Sequence, residues 1–351
     1  MLRLIVLFAS TGVALLALVA LDWWVDPLAE HYRSGVVSQA FAASPHCNVS
    51  TAVLSDTTWP AFKLDLFTRR RTTTIVSGSS RVWKIGPLPG ERGFTNVGLP
   101  GMSVTSVPIL FRRLHELAPG RHLRVYLGVE PFWFTIPDRS SNFARTTLPE
   151  RLRLVASGET LRATLKQLVH HPADLVDPPS RRTPSRLATP AGCVLDEGGA
   201  VHSGTANAWA MDGTFLYNYE LTGAAPGRKD FLRGDFTRMR GSTLDPASVG
   251  DVQQALALAR QYGWSVVGFT APFSHDTIVR LERDPGGAAL LRVYRRTMPT
   301  LFSDAGFPYL DLSDARSVPC TDEQFLRHDG AHADAACAAK VRRRLDAVRS
   351  R

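Results

Sequence analysis

The sequence predicts an α/β chain: a three-layer α/β/α sandwich built on a five-strand parallel sheet and interrupted by one irregular insertion. Three observations predict it. Five short apolar runs alternate with segments of helical period. No hairpin signal falls among those runs, so the connections read as helical crossovers and the strands as parallel. Ser80, Gly101, Glu130 and Asp329 each follow a predicted strand. That gathers them at the carboxyl edge of the sheet, where ligands of such sheets bind.

The first strand is Thr72 to Val76, a β-branched run that ends in small residues and meets Ser80. Gly78 permits a sharp turn directly after it. The second is the short apolar stretch 93–97. A helix follows, with Val107, Leu110, Phe111, Leu114 and Leu117 on one face. Ser106 caps it, Pro108 suits its first turn and Pro119-Gly120 stops it. Leu123 to Leu127 is the third strand and runs into Gly128-Val129-Glu130-Pro131.

Regularity then breaks. About 132–244 holds one credible helix, Glu159 to Val169, a proline-dense loop, and a hairpin expected around Asp212-Gly213. An irregular stretch of that length is a candidate lid or substrate platform. Alternation returns with a helix opened by Ser248 and closed by Gly263, and with a fourth strand, Ser265 to Phe269. Thr277 to Phe302 is helical around a break at 284–287. Tyr309 to Leu312 is the fifth strand, and the last helix runs from His332 towards Val348.

The N-terminal end carries a different signal. Leu4 to Leu21 is almost wholly apolar, with Arg3 before it and Asp22, Asp26 and Glu30 after it. About 18 apolar residues are just enough to span a bilayer as a helix. The charge asymmetry puts the N-terminus in the cytoplasm and the rest outside. Ala40-Phe41-Ala42 lies too far from the apolar run to serve as a cleavage site, so residues 1–25 read as an uncleaved anchor. A connector, 26–71, precedes the domain at 72–351.

The formal charge is +9, and Lys63, Lys84, Lys166, Lys229 and Lys340 are the only lysines. The arginine clusters are short and lack interleaved aromatics, so no nucleic-acid surface is expected. Cys47, Cys193, Cys320 and Cys337 make an even number in a chain read as exported, where two disulfides are reasonable and three pairings are open. A bridge from Cys320 to Cys337 would brace the loop between them, which carries Asp329 and His332. No paired Cys-x-x-Cys or histidine cluster suggests a metal, and no cofactor is expected.

A serine on a sheet rim needs a base, and Asp329-Gly330-Ala331-His332 offers one: the carboxylate orients the ring, and the ring takes the serine proton. These blocks, in this order, resemble the SGNH (GDSL-like) hydrolase family over about 72–129 and 265–347, with the insertion unmatched. Gly78-Ser79-Ser80 looks like its nucleophile block, and 96–101 looks like its second block, whose last glycine gives a backbone N–H to the oxyanion. The resemblance implies a flavodoxin-like sheet. It also implies a catalytic set of Ser80, Asp329 and His332, with the backbone N–H groups of Ser80 and Gly101 as the oxyanion hole.

One departure stands out. Where the family reads Gly-x-Asn-Asp, this chain reads Gly128-Val129-Glu130-Pro131, and a carboxylate aimed at a developing oxyanion would oppose it. Losing one such donor costs about 3 kcal/mol of transition-state stabilisation. Either Glu130 points away, or it is protonated, or another donor serves. Arg81, Glu130 and Asn96 are candidate substrate-binding positions; Arg81 would neutralise charge or grip an anionic substrate, and Asn96 reads as a turn-former before a donor.

The Gly-Ser-Ser-Arg form, the anchor and Asp26-Pro27 are similar to the membrane-anchored envelope branch. That branch includes relatives of the D-alanyl-transfer protein and of polysaccharide O-acetylation factors. The implied activity is ester hydrolysis or O-acyl transfer on an envelope glycan. Its implied setting is the outer face of a bacterial cytoplasmic membrane, with a membrane acyltransferase as the protein partner. The alternatives are a catalytically impaired accessory or binding subunit of an envelope polysaccharide system, and a lipid esterase.

Overall fold

The computed structural model describes residues 2–25, 47–50, 59–135, 143, 158–170, 172–176, 193–195, 208–217, 239–325 and 330–348. The chain clusters into two compact units, one of 1–62 with 145–206, the other of 63–144 with 207–351. The sheet unit begins at Lys63, and the insertion divides between the two units.

In the first unit, helix α1 (Leu2–Val25) packs on helix α4 (Gly158–His170), and Trp24 Nε1 donates to the Leu175 carbonyl at 2.9 Å. Strands β1 (Cys47–Ser50) and β5 (Cys193–Leu195) pair antiparallel. Among the described residues no helix is long and apolar enough to cross a membrane.

The second unit holds five parallel strands: β2 (Thr74–Ser77), β3 (Phe94–Asn96), β4 (Arg124–Gly128), β8 (Ser265–Thr270) and β9 (Tyr309–Asp311). They lie side by side as β3-β2-β4-β8-β9. In register, Val76 sits beside Asn96 and Tyr126, Leu127 beside Gly268, and Phe269 beside Leu310. All of β8 after Ser265 is buried, as a strand covered on both faces requires.

Helices cover both faces. On one face Val76, Phe94, Tyr126, Val267 and Phe269 pack with Ala338, Val341 and Leu345 of helix α8 (Ala335–Asp346). The other face meets helices α3 (Ser106–Leu117), α5 (Pro246–Gln261) and α7 (Pro285–Asp304). There α3 packs on α5, α5 on β8 and α7 on β9. Phe302 of α7 covers Gly268 so closely that no other residue fits at that position of β8. Helix α6 (His275–Arg283) packs against α7.

Boundaries move for local reasons. Asp245 rather than Ser248 caps α5, accepting from the Ser248 N–H at 2.9 Å, with Pro246 in the first turn. The break at 284–287 narrows to Asp284, which ends α6 and caps α7 through the Gly287 N–H. Asp334 caps α8 through the Cys337 N–H, so His332 lies in the loop ahead of the last helix and not in it. Within the expected connector the structure has helix α2 (Trp59–Arg69). The expected hairpin exists as β6 (Ala208–Trp209) and β7 (Phe215–Leu216) around Gly213, whose φ is +82°.

Candidate active site

Ser80 opens a single 3₁₀ turn, Ser80–Val82, just beyond β2. Ser79 caps it, its hydroxyl accepting from the Arg81 N–H at 3.3 Å. Gly78, with φ +153°, makes the turn from strand to cap in a conformation closed to other residues. The turn is then pinned by Val82, whose methyls press into a pocket floored by glycines at the ends of three adjacent strands. A Cβ at Gly98 or Gly128 would lie 2.6 Å from a Val82 methyl, and one at Gly78 would lie 3.0 Å away. Three missing side chains, one each beyond β2 and β3 and one at the end of β4, thus seat the turn that presents Ser80.

Asn96 completes the seat. Its amide nitrogen donates to the Val82 and Ile85 carbonyls at 2.7 and 3.0 Å, and its oxygen accepts from the Gly98 N–H at 2.9 Å. The side chain is fully buried. It holds the turn, the turn-forming role read for it in the sequence. The loop after β3 returns to the same edge, with the Leu99 N–H donating to the Gly78 carbonyl at 3.1 Å. Gly101 follows two residues later, with φ +59°.

The base arrives on a loop closed below and above. Below, Phe325 bridges Ala333, the Asp334 N–H donates to the Gln324 carbonyl at 2.6 Å, and Cys320 is joined to Cys337 in a disulfide. Above, the Ser274 N–H donates to the Gly330 carbonyl at 2.7 Å. Gly330 has φ +57°, and a side chain there would collide with Thr277 and Ser274. His332 Nε2 thereby reaches Ser80 Oγ at 2.8 Å, across 252 positions of sequence. Asp329 lies outside the described residues.

Arg81 is buried. Its Nη1 donates to Glu130 Oε2, its Nη2 to the Ala271 carbonyl and its Nε to the Ala331 carbonyl at 3.3 Å. The guanidinium carbon lies 3.4 Å from the centre of the Phe273 ring. Its side chain is 3% exposed. Glu130 is fully buried and receives the Ser79 hydroxyl at 3.1 Å as well as Arg81. Burial pushes its carboxyl up, while the charge of Arg81 and the hydrogen bonds from Ser79 and Arg81 pull it back. The carboxylate accepts from both of these partners. The sequence held a signal for this pair: opposite charges just beyond β2 and β4, which prove to be neighbours.

The polar floor continues below. Tyr294 donates to the Val129 carbonyl at 2.8 Å and meets the Tyr309 hydroxyl at 2.9 Å, and burial pushes both phenols up. Among the described residues no cluster of histidine, cysteine and carboxylate side chains offers a metal site.

A hydroxyl hydrogen-bonded to an imidazole at a sheet's carboxyl edge, beside buried counter-charges, is an arrangement suited to nucleophilic attack. No protein-family model matches this chain, and no curated protein matches it either.

Proposed function

We propose that this chain is an exported, membrane-anchored serine esterase or O-acyltransferase of the SGNH type, with a flavodoxin-like sheet, that acts on ester groups of a cell-envelope glycan. The observation that carries the reading is the 2.8 Å contact of His332 Nε2 with Ser80 Oγ. In the reaction, His332 takes the Ser80 proton as Oγ attacks the ester carbonyl, and returns it to the departing alcohol. Water or a sugar hydroxyl, deprotonated by the same nitrogen, then releases the acyl group. Asp329 orients the ring and stabilises its charge, and the backbone N–H groups of Ser80 and Gly101 receive the oxyanion. No cofactor is needed for these steps.

Two observations favour this over a catalytically impaired accessory subunit. The serine and histidine are within hydrogen-bond range, and Glu130 is neutralised by Arg81. A groove of about 380 Å³ lies between the 84–89 loop, strand β7 and helix α8. Lys84, Pro87, Leu88, Phe215, Ala335 and Arg343 help line it, an apolar floor between cations.

Attachment to the bilayer is supported by α1, where Val13, Leu15 and Leu16 are 68%, 58% and 71% exposed. Water-facing apolar side chains in such a group mark contact with lipid or protein. An envelope membrane acyltransferase that delivers acyl groups is the protein partner this reading implies.

The test is turnover of an aryl acetate by the full-length protein in detergent, alone and with a soluble glycan acceptor. Hydrolysis that Ser80→Ala and His332→Ala abolish supports the reading, and acetyl appearing on the glycan identifies a transferase. Equal turnover by wild type and both variants would reject it.

A further inference from the structure

Arg81 is the residue after the proposed nucleophile, and among the described residues its side-chain hydrogen-bond partners come from three other segments. Glu130 stands just beyond β4, Ala271 just beyond β8, and Ala331 immediately before His332. The two ends of the reactive pair are thus each one residue from an atom of the same buried cation. The Ser80 side is held again by Ser79, whose hydroxyl both donates to Glu130 and accepts from the Arg81 N–H. Phe273 closes over the guanidinium face.

Such a cation has no reason to be buried for stability alone. A buried ion pair recovers its desolvation cost only with good geometry, and well-packed apolar replacements often match it. A planar fork that reaches several acceptors at fixed angles supplies geometry, which a lysine or an apolar side chain does not. We infer that Arg81 is a positioning residue that sets the separation of Ser80 and His332, and that Glu130 is the anchor which holds its guanidinium in place. The inference rests on the proposed reading of that pair as nucleophile and base. It gives the departing carboxylate at the third block a purpose: it replaces a direct oxyanion donor with a strut beneath the nucleophile.

The test compares full-length wild type with Arg81→Lys, Glu130→Gln and the apolar double variant Arg81→Met/Glu130→Leu. Each protein is melted, labelled with a fluorophosphonate over a range of probe concentrations, and crystallised. A misplacement of about 1 Å costs about 100-fold in rate. The maximal labelling rate of Arg81→Lys and of the double variant should therefore fall about 100-fold, with half-saturation by the probe unchanged. The Ser80 Oγ–His332 Nε2 separation should open beyond hydrogen-bond range. Glu130→Gln keeps the shape of the anchor and should lose less than Arg81→Lys.

A folded double variant that keeps the separation and the wild-type rate overturns the inference. So does a folded Arg81→Lys variant with the pair intact and only a lowered melting temperature. If wild type itself is not labelled, the esterase reading fails, and the crystallographic separation alone decides whether Arg81 positions the pair.

Discussion

Gly128→Ala tests the seat of the nucleophile turn. The new methyl would stand 2.6 Å from Val82 Cγ1, against the 3.4 Å at which ordinary contact begins, a shortfall of about 0.8 Å. Its other neighbours, Phe269 Cζ and the Ser77 carbonyl, are at 3.4 Å and can stay. The collision is thus with one side chain, itself fully buried. Overpacking of this kind costs about 1–3 kcal/mol. At about 2–4 °C per kcal/mol for a domain of this size, the melting temperature should fall by about 2–12 °C.

Val82→Ala removes both methyls and should itself cost about 2 kcal/mol through lost burial and the space left behind. The double variant separates the account from a general intolerance of change. With the Val82 methyls gone, the alanine methyl occupies their room, and the double should be no less stable than Val82→Ala alone. Thermal melts of the four proteins therefore give a coupling of about 1–3 kcal/mol between two neighbouring positions. Strictly additive losses would refute the claim that Gly128 is a glycine because of Val82.

Three further outcomes follow from other parts of the structure. Lys63 is fully buried, its Nζ donating to the Asn96 and Gly213 carbonyls and lying 3.7 Å from the centre of the Trp209 ring, and burial lowers its pKa well below the usual lysine value. Between that lowered value and about 10.4 the unfolded chain holds a proton that the folded chain lacks, so stability rises with pH by up to about 1.4 kcal/mol per unit. The melting-temperature difference between wild type and Lys63→Met should therefore move in favour of wild type as pH rises towards 10, and a flat difference would contradict it. Replacing Cys320 and Cys337 together by serine opens a loop of sequence separation 17 and should cost about 3 kcal/mol on melting, with slower labelling because His332 lies inside that loop. Membrane pellets washed with alkaline carbonate should retain the full chain and release one lacking 1–25; release of both would reject the anchor.

Much of the sheet unit was legible because its signals are local. The β-branched run into Ser77, the buried 265–270 and the amphipathic 106–117 each announce their element, and Gly78 announces the turn. Ser80 and His332 converge because each follows a strand of one parallel sheet. Helix α2 was not legible, for a physical reason: its stripe of Trp59, Phe62, Leu66 and Phe67 has Lys63 in it, and a lysine in a buried stripe looks like the end of one. The start of α8 was misread because Asp334, two residues past His332, is the true cap. The Arg81–Glu130 pair was not legible because which charges meet beyond two strands is fixed only by the strand order.

The central claim is that Ser80 is an activated nucleophile, and covalent labelling tests it most directly. Full-length protein treated with a fluorophosphonate, digested and read by mass spectrometry should carry the probe on Ser80. Ser80→Ala and His332→Ala should remain unlabelled while melting as wild type does. A folded wild-type protein that takes no probe, or takes it with equal efficiency when His332 is alanine, would contradict the account.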